Sequence, residues 1–169
     1  MIELKEITYE NIEKILELKV AKHQEDFVSN NVYSIAEAYC SLKEDKYPHT
    51  ALAIADGEET VGFLMYEYCP SLPERDDRDE DNEEEYFQDA PYYHLFRYMI
   101  GEQHQDKGYG RVAMEKLIEH MKGRPQGPAD AIYICYSPPN VVAKKFYEAF
   151  GFEDTGQVVD GEYITRLAI

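Results

Sequence analysis

The sequence predicts an α/β sandwich, of the α+β kind, around a mixed, mostly antiparallel sheet. Three observations carry this. The apolar pattern runs β-α-α-β-β-β-α-β-α-β-β along the chain. Two Asp-Gly pairs, Asp56-Gly57 and Asp160-Gly161, fall between strand-like runs, where they favour tight hairpins and hence antiparallel neighbours. Finally, 169 residues of which 44% are apolar or aromatic suffice for one core without disulfide staples. A single domain over residues 1–169 is therefore expected, with an acidic loop insertion at about 70–91.

Taken in order, residues 2–7 read as an opening strand. A helix follows from about Tyr9, capped by Thr8, with Ile12, Ile15, Leu16 and Val20 on its buried side. Ser34 and Glu37 have capping-box spacing, so a second helix is expected to start at Ser34 and to bury Ile35, Ala38, Tyr39 and Leu42. Strands are expected at 50–55, 60–68 and 92–100. A helix over 110–121 places Val112, Ala113, Leu117, Ile118 and Met121 at helical spacing. A strand over 131–136 and a helix over 141–150, stopped by Gly151, come next. The chain closes on a hairpin, 152–159 and 163–169.

Charge narrows the function classes. A net charge of −17 repels nucleic acid and draws cationic small molecules. Nine acids, two arginines and one Asn fill residues 74–85; such density offers nothing to bury, so a solvated loop is expected there. Pro70 and Pro73 precede that run and Pro91 follows it. Its plain role is to solubilise, and its sharper one an electrostatic funnel for a polycation. No apolar run approaches the roughly 20 residues of a membrane span, and the start carries no signal-peptide core. Cys40, Cys69 and Cys135 are odd in number and far apart, without metal-ligand spacing. Reduced thiols in a cytoplasmic protein are expected, with no metal.

Gln105, Asp106, Lys107, Gly108, Tyr109, Gly110 and Arg111 lie between a strand and a helix. Glycines there let backbone N–H groups approach an anion, and the helix start adds a favourable dipole. A pyrophosphate is the natural occupant. Glycine can also serve turn geometry alone. A dinucleotide fingerprint would place its third glycine at Ala113, but the motif lies late in the chain and no βαβ alternation precedes it. No Lys-Ser/Thr pair of a nucleoside-triphosphate loop is present.

Gln105-x-x-Gly108-x-Gly110 resembles the Q/R-x-x-G-x-G/A motif of the GNAT superfamily of N-acetyltransferases. Asn140, Ala143, Phe146-Tyr147 and Phe150-Gly151-Phe152 fall where that superfamily carries its second motif. Val20-Ala21-x-x-Gln24-x-x-Phe27-Val28, Ser34 through Tyr39, and Phe96 through Ile100 look like the bacterial spermine/spermidine acetyltransferase group. The resemblance implies a central sheet with helices on both faces and acetyl-coenzyme A as co-substrate. It also implies a small-molecule amine acceptor, a polyamine first, and a homodimer.

Residue by residue, the resemblance implies that backbone at Met99 and Ile100 meets the pantetheine arm, much as an added strand would. Amides from Gln105 through Gly110, with Arg111 at the helix start, would hold the pyrophosphate. Lys107 is a further phosphate candidate, or a solvated lysine. Asn140 matches a pantetheine contact and is also a good N-cap. Tyr147 matches the tyrosine that protonates the departing thiolate; otherwise it is a core aromatic beside Phe146. The general base is less plainly marked, because Phe96 and Arg97 occupy a stretch where relatives place acids. Glu67 and His94 are the candidates, alongside a water chain. Cys135 has no evident histidine partner in sequence and reads as core. The expected reaction is direct attack by a primary amine in a ternary complex. Its rivals are acetylation of an antibiotic, an amino acid or a protein terminus, and a non-catalytic acyl-coenzyme A sensor.

Overall fold

A computed structural model of the chain describes residues 1–44, 47–71, 87 and 90–169. The acidic run 74–85, with its expectation of a solvated loop, lies outside the described residues. The strands are β1 (Ile2–Glu6), β2 (Thr50–Asp56), β3 (Glu59–Cys69), β4 (Tyr92–Ile100), β5 (Ala131–Tyr136), β6 (Glu153–Val159) and β7 (Glu162–Ala168). The helices are α1 (Ile12–Glu17), α2 (Asn31–Glu44), α3 (Tyr109–Lys122) and α4 (Val141–Glu148). The seven strands make a mostly antiparallel sheet, and the element order is the one the apolar pattern predicts. Among the described residues, no helix is long and apolar enough to cross a membrane.

Two compact units divide the chain. The first holds Met1–Glu67 and Leu95–Gly123. Here β1 and β2 pair antiparallel with Leu4 opposite Ile54, and β2 and β3 with Ala53 opposite Phe63. Strand alternation then sorts the side chains onto two faces. On one face Ala53, Phe63, Met65 and Met99 pack with Ile15, Leu18 and Ala38. On the other lie Leu52, Ile54, Leu64 and Tyr66, and the Tyr66 hydroxyl meets His120 Nε2 at 3.0 Å. That contact puts α3 on the second face, where Ala113, Met114, Leu117 and Met121 are buried. Helices therefore cover both faces. Each large apolar side chain so buried contributes roughly 1.5–3 kcal/mol.

Some local expectations change. Thr8 shapes the turn before α1 instead of capping the helix: its carbonyl accepts from Asn11 and Ile12, and Asn11 Oδ1 accepts from its N–H at 2.9 Å. Leu16 is exposed, and Leu18, just beyond the helix, is buried in its place. A 3₁₀ turn over Lys22–Phe27 has no counterpart in the apolar pattern. Helix α2 starts at Asn31, not Ser34, and Asn30 Oδ1 accepts from Tyr33 N–H at its head. The Ser34 hydroxyl sits inside the helix and donates back to Asn30 O, so the capping box does not form. Tyr39 and Leu42 are exposed, while Asn31, Ser34, Ala38 and Ser41 face inward. In α3, Val112 is exposed and Met114 takes a core position.

The second unit holds Tyr68–His94 and Arg124–Ile169. Its strand order is β5-β7-β6, antiparallel throughout, with Cys135 opposite Ile164. The Thr165 hydroxyl donates to Ile134 O at 3.0 Å and satisfies a buried polar group. Its core is aromatic: Tyr92, Tyr133 and Phe87 lie within 5.4 Å of one another by ring centroids.

Candidate active site

The turn expected to bind an anion belongs wholly to the first unit. β4 ends at Ile100, where Gly101 N–H donates to Val61 O at 2.9 Å. A short 3₁₀ turn, Glu102–His104, leads on to Gln105. The Gln105 amide nitrogen donates to Ile100 O at 2.9 Å and to Gln24 Oε1 at 2.8 Å. Gln24 Oε1 also accepts from Ala21 N–H at 3.1 Å. The Gln105 side chain thus braces the turn against β4 and the 3₁₀ turn after α1. Sequence reasoning assigned Gln105 only a backbone amide. The signal was nonetheless present, because Gln24 sits in one of the stretches that carried the resemblance.

Beyond Gln105 the backbone takes the left-handed region at Asp106, φ 60°, and at Gly108, φ 79°. A side chain is strained in that region, and Gly108 avoids the strain. A Cβ built on Gly108 would meet nothing within 4 Å, so the backbone there borders open space. Helix α3 starts directly afterwards. Its first backward bond is Val112 N–H to Gly108 O at 3.3 Å, which leaves the amides of Tyr109, Gly110 and Arg111 ahead of the helical ladder. Two phenols secure this start. Tyr98 donates to Gly110 O at 2.6 Å, and Tyr109 donates to Asp56 Oδ2 at 3.1 Å. The Met1 amine, then the Tyr109 hydroxyl, hold the Asp56 carboxyl below its ordinary range. The Lys107 ammonium donates to Gln103 O at 2.8 Å, and Arg111 lies exposed, 3.7 Å from Glu115.

At the end of β4, Met99 is buried and Ile100 half-buried. Gly62 on β3 lets the strands close up: a Cβ there would collide with Met99 O and lie 2.8 Å from Ile100 Cδ1. Arg97 donates to Glu37 Oε2 at 3.1 Å and to Phe96 O at 2.9 Å. That pairing explains why a cation can stand where an acid was sought. Glu67 is half-buried near the end of β3.

His94, Asn140 and Tyr147 belong to the second unit. Asn140 Oδ1 accepts from Ala143 N–H at 3.0 Å, making the N-cap of α4 and leaving the amide nitrogen as a donor. Tyr147 is half-buried, its ring 5.9 Å from Phe152 and 6.2 Å from Tyr136. Burial pushes its phenol well above the usual range; the Glu162 carboxylate and the Cys135 thiol add to this. The hydroxyl therefore holds its proton at neutral pH. His94 Nε2 stands 3.9 Å from Cys135 Sγ. The sequence reading left Cys135 without a histidine because the two are 41 positions apart and meet only across strands. Among the described residues, no group of three or more His, Cys, Asp or Glu is placed to hold a metal ion.

Residues 12–152 match the model of the acetyltransferase (GNAT) family. The chain belongs to the GNAT acetyltransferase family. The chain is similar to the spermine/spermidine N(1)-acetyltransferase of Bacillus subtilis (strain 168), 28% identical over 157 residues, 93% of this chain and 91% of that one. Among solved structures it is similar in fold to the PaiA N-acetyltransferase of Thermoplasma acidophilum in complex with coenzyme A, with TM-score 0.63 and 12% identity, covering 100% of this chain and 99% of that one. It is also similar to aminoglycoside acetyltransferase AAC(6')-Ib in complex with coenzyme A and kanamycin, with TM-score 0.70 and 18% identity over 99% of this chain and 95% of that one. In this GNAT chain the open backbone at Gly108 and the helix start behind it fit a pyrophosphate, since both donors and space are present.

Proposed function

We propose that the protein transfers acetyl from acetyl-coenzyme A to a primary amine of a polyamine, spermine or spermidine, by direct attack in a ternary complex. The observation that carries the use of the co-substrate is the turn at Gly108, where left-handed backbone borders open space at the head of α3. The choice of a polyamine is supported by similarity to the Bacillus subtilis spermine/spermidine N(1)-acetyltransferase and by the net charge of −17.

Acetyl-coenzyme A supplies an acetyl group activated as a thioester. Backbone at Met99 and Ile100 binds the pantetheine arm, and amides from Gln105 through Gly110, with Arg111, hold the pyrophosphate. The Asn140 amide nitrogen, free of the cap its oxygen makes, donates to the arm. Tyr147 keeps a proton on its hydroxyl for the leaving sulfur, which its raised pKa favours at neutral pH. Glu67 or His94 takes the proton that the acceptor ammonium must lose. The Cys135–His94 pair favours a second reading, an acetyl-enzyme on Cys135. At 3.9 Å that contact is at the long limit for a sulfur hydrogen bond, so direct attack is preferred. Three free cysteines suit a cytoplasmic location, and a homodimer completes the reading.

The test is release of free coenzyme A thiol from acetyl-coenzyme A with a panel of amines: spermidine, spermine, kanamycin, a free amino acid and a peptide N-terminus. The expected result is the highest kcat/KM for the two polyamines. A higher value for another class would replace the acceptor. Cofactor binding without release for any amine would make the protein a sensor.

A further inference from the structure

Gln24 and Gln105, the two glutamines that meet beside the turn, lie 81 positions apart, and both are half-buried. Their amides can be oriented in one way. Gln105 reaches Ile100 O at 2.9 Å, and a backbone carbonyl accepts but cannot donate, so the Gln105 atom there is nitrogen. Ala21 N–H reaches Gln24 at 3.1 Å, and a backbone N–H donates but cannot accept, so the Gln24 atom there is oxygen. The 2.8 Å contact between the two side chains joins these same two atoms, donor to acceptor. Two separate backbone groups therefore fix both amides in a mutually consistent sense. Gln24 supplies one shared acceptor, and Gln105 uses both of its N–H groups.

We propose that Gln24, which lies outside the turn, is a positioning residue for acetyl-coenzyme A. Its carboxamide oxygen holds Gln105, and through Gln105 the entry of the pyrophosphate turn, in the geometry that binds. The inference rests on the proposed co-substrate site. The exit of the turn is held separately, by Tyr98 on Gly110 O at 2.6 Å and by Tyr109 on Asp56 Oδ2 at 3.1 Å. Between these anchors run Asp106, Lys107 and Gly108, all exposed, with left-handed backbone at Asp106 and Gly108. Burial does not hold such a stretch, so the aim of its N–H groups depends on the anchors at its two ends. Without Gln24 Oε1, one Gln105 N–H and the Ala21 N–H lose their acceptor, and the entry is free to shift. The fold itself keeps other ties between the same stretches. Glu102 N–H donates to Lys19 O at 2.8 Å, and Leu18 Cδ2 packs where a Cβ on Gly101 would stand. A space-filling Gln24 would respond to side-chain shape, whereas a positioning Gln24 responds to which partner donates.

The experiment is calorimetric titration with acetyl-coenzyme A at neutral pH, in 1 M salt so that an added charge is screened beyond about 3 Å. Glutamate has nearly the shape of glutamine, but its carboxylate accepts and does not donate. At position 24 it keeps the acceptor, so Gln24→Glu should bind within about twofold of wild type. At position 105 it sets a carboxylate against Ile100 O and Gln24 Oε1, so Gln105→Glu should weaken binding about tenfold or more. Gln24→Leu should weaken it about fivefold. Adding Gln24→Leu to Gln105→Leu should weaken binding no further than Gln105→Leu alone, since the shared contact is already gone. Wild-type affinity in Gln24→Leu, equal losses in Gln24→Glu and Gln24→Leu, or additive losses in the double variant would each overturn the assignment. If Gln24→Leu melts early by circular dichroism, the contrast between Gln24→Glu and Gln105→Glu still decides. Gly108→Asn, titrated in parallel, separates this inference from the reading beneath it. No binding to the wild type, or wild-type affinity in Gly108→Asn, would refute the turn as the co-substrate site. Weakened binding in Gly108→Asn with full affinity in Gln24→Leu would refute the role of Gln24 alone.

Discussion

Burial lifts the Tyr147 phenol above its ordinary value of 10.0, so its hydroxyl stays protonated across the neutral and mildly alkaline range. If that proton serves the leaving thiol, Tyr147→Phe should lower kcat by about 10²-fold or more while acetyl-coenzyme A affinity stays within a factor of about two. The wild-type kcat should show no falling alkaline limb up to about pH 9.5, since loss of the phenol proton is displaced to higher pH. An unchanged kcat in the variant would assign the ring to packing. His120 behaves in the opposite sense. Burial lowers its imidazole pKa, while its Nε2 meets the Tyr66 hydroxyl at 3.0 Å. Below the ordinary value of 6.5 the unfolded chain therefore binds the proton more readily than the folded one. Stability from this site is intact above pH 6.5 and is lost as the pH falls through the lowered folded value. Urea unfolding of wild type and His120→Gln between pH 5 and 7.5 should show a shallower acid loss in the variant. Parallel curves would contradict this.

At the scale of elements, the turn between β4 and α3 joins two demands at Gly108: a left-handed backbone and open space where a side chain would project. These separate by substitution. Gly108→Val should cost about 1–2 kcal/mol of stability from backbone strain, whereas Gly108→Asn, which tolerates that region, should cost less. Both should weaken acetyl-coenzyme A binding by tenfold or more, about 1.4 kcal/mol, because both put a side chain into the cradle. Equilibrium dialysis with thermal melts reads the two effects, and wild-type affinity in Gly108→Asn would remove the turn from the site. This turn was legible because glycine and helix-start chemistry are local. β4 and β5 were legible to the residue, as apolar runs bounded by Pro, Gly and polar segments. Helix α2 was not. Its buried face is Asn31, Ser34, Ala38 and Ser41, small or polar residues at spacings of three and four, while the larger Tyr39 and Leu42 point outward. Hydropathy finds Ile35 and Ala38 on the core side but mistakes Tyr39 and Leu42 for their neighbours there. The Gln105–Gln24 brace and the Cys135–His94 contact link residues 81 and 41 positions apart, and no local pattern encodes them.

For the whole molecule, the excess of 34 acidic over 17 basic residues sets a field that favours polycations. Nine acids fall within residues 74–85. Attraction between solvated charges is screened beyond about 8 Å at physiological salt. The kcat/KM for spermine should therefore fall steeply with ionic strength, and that for a monoamine much less. Replacing Asp76, Asp77, Asp79 and Asp81 together with Asn should raise KM for spermine and flatten the salt slope, with kcat nearly constant. Wild-type KM and slope in that variant would reduce the run to a solubilising role. Direct acetyl transfer to a polyamine is decided by initial rates of acetylspermidine formation with both substrates varied. Direct transfer gives acetylspermidine in equal amount to the thiol released, with intersecting double-reciprocal lines. Parallel lines would point to an acetyl-enzyme on Cys135 and contradict direct attack, and no acetylspermidine at any concentration would contradict the polyamine acceptor.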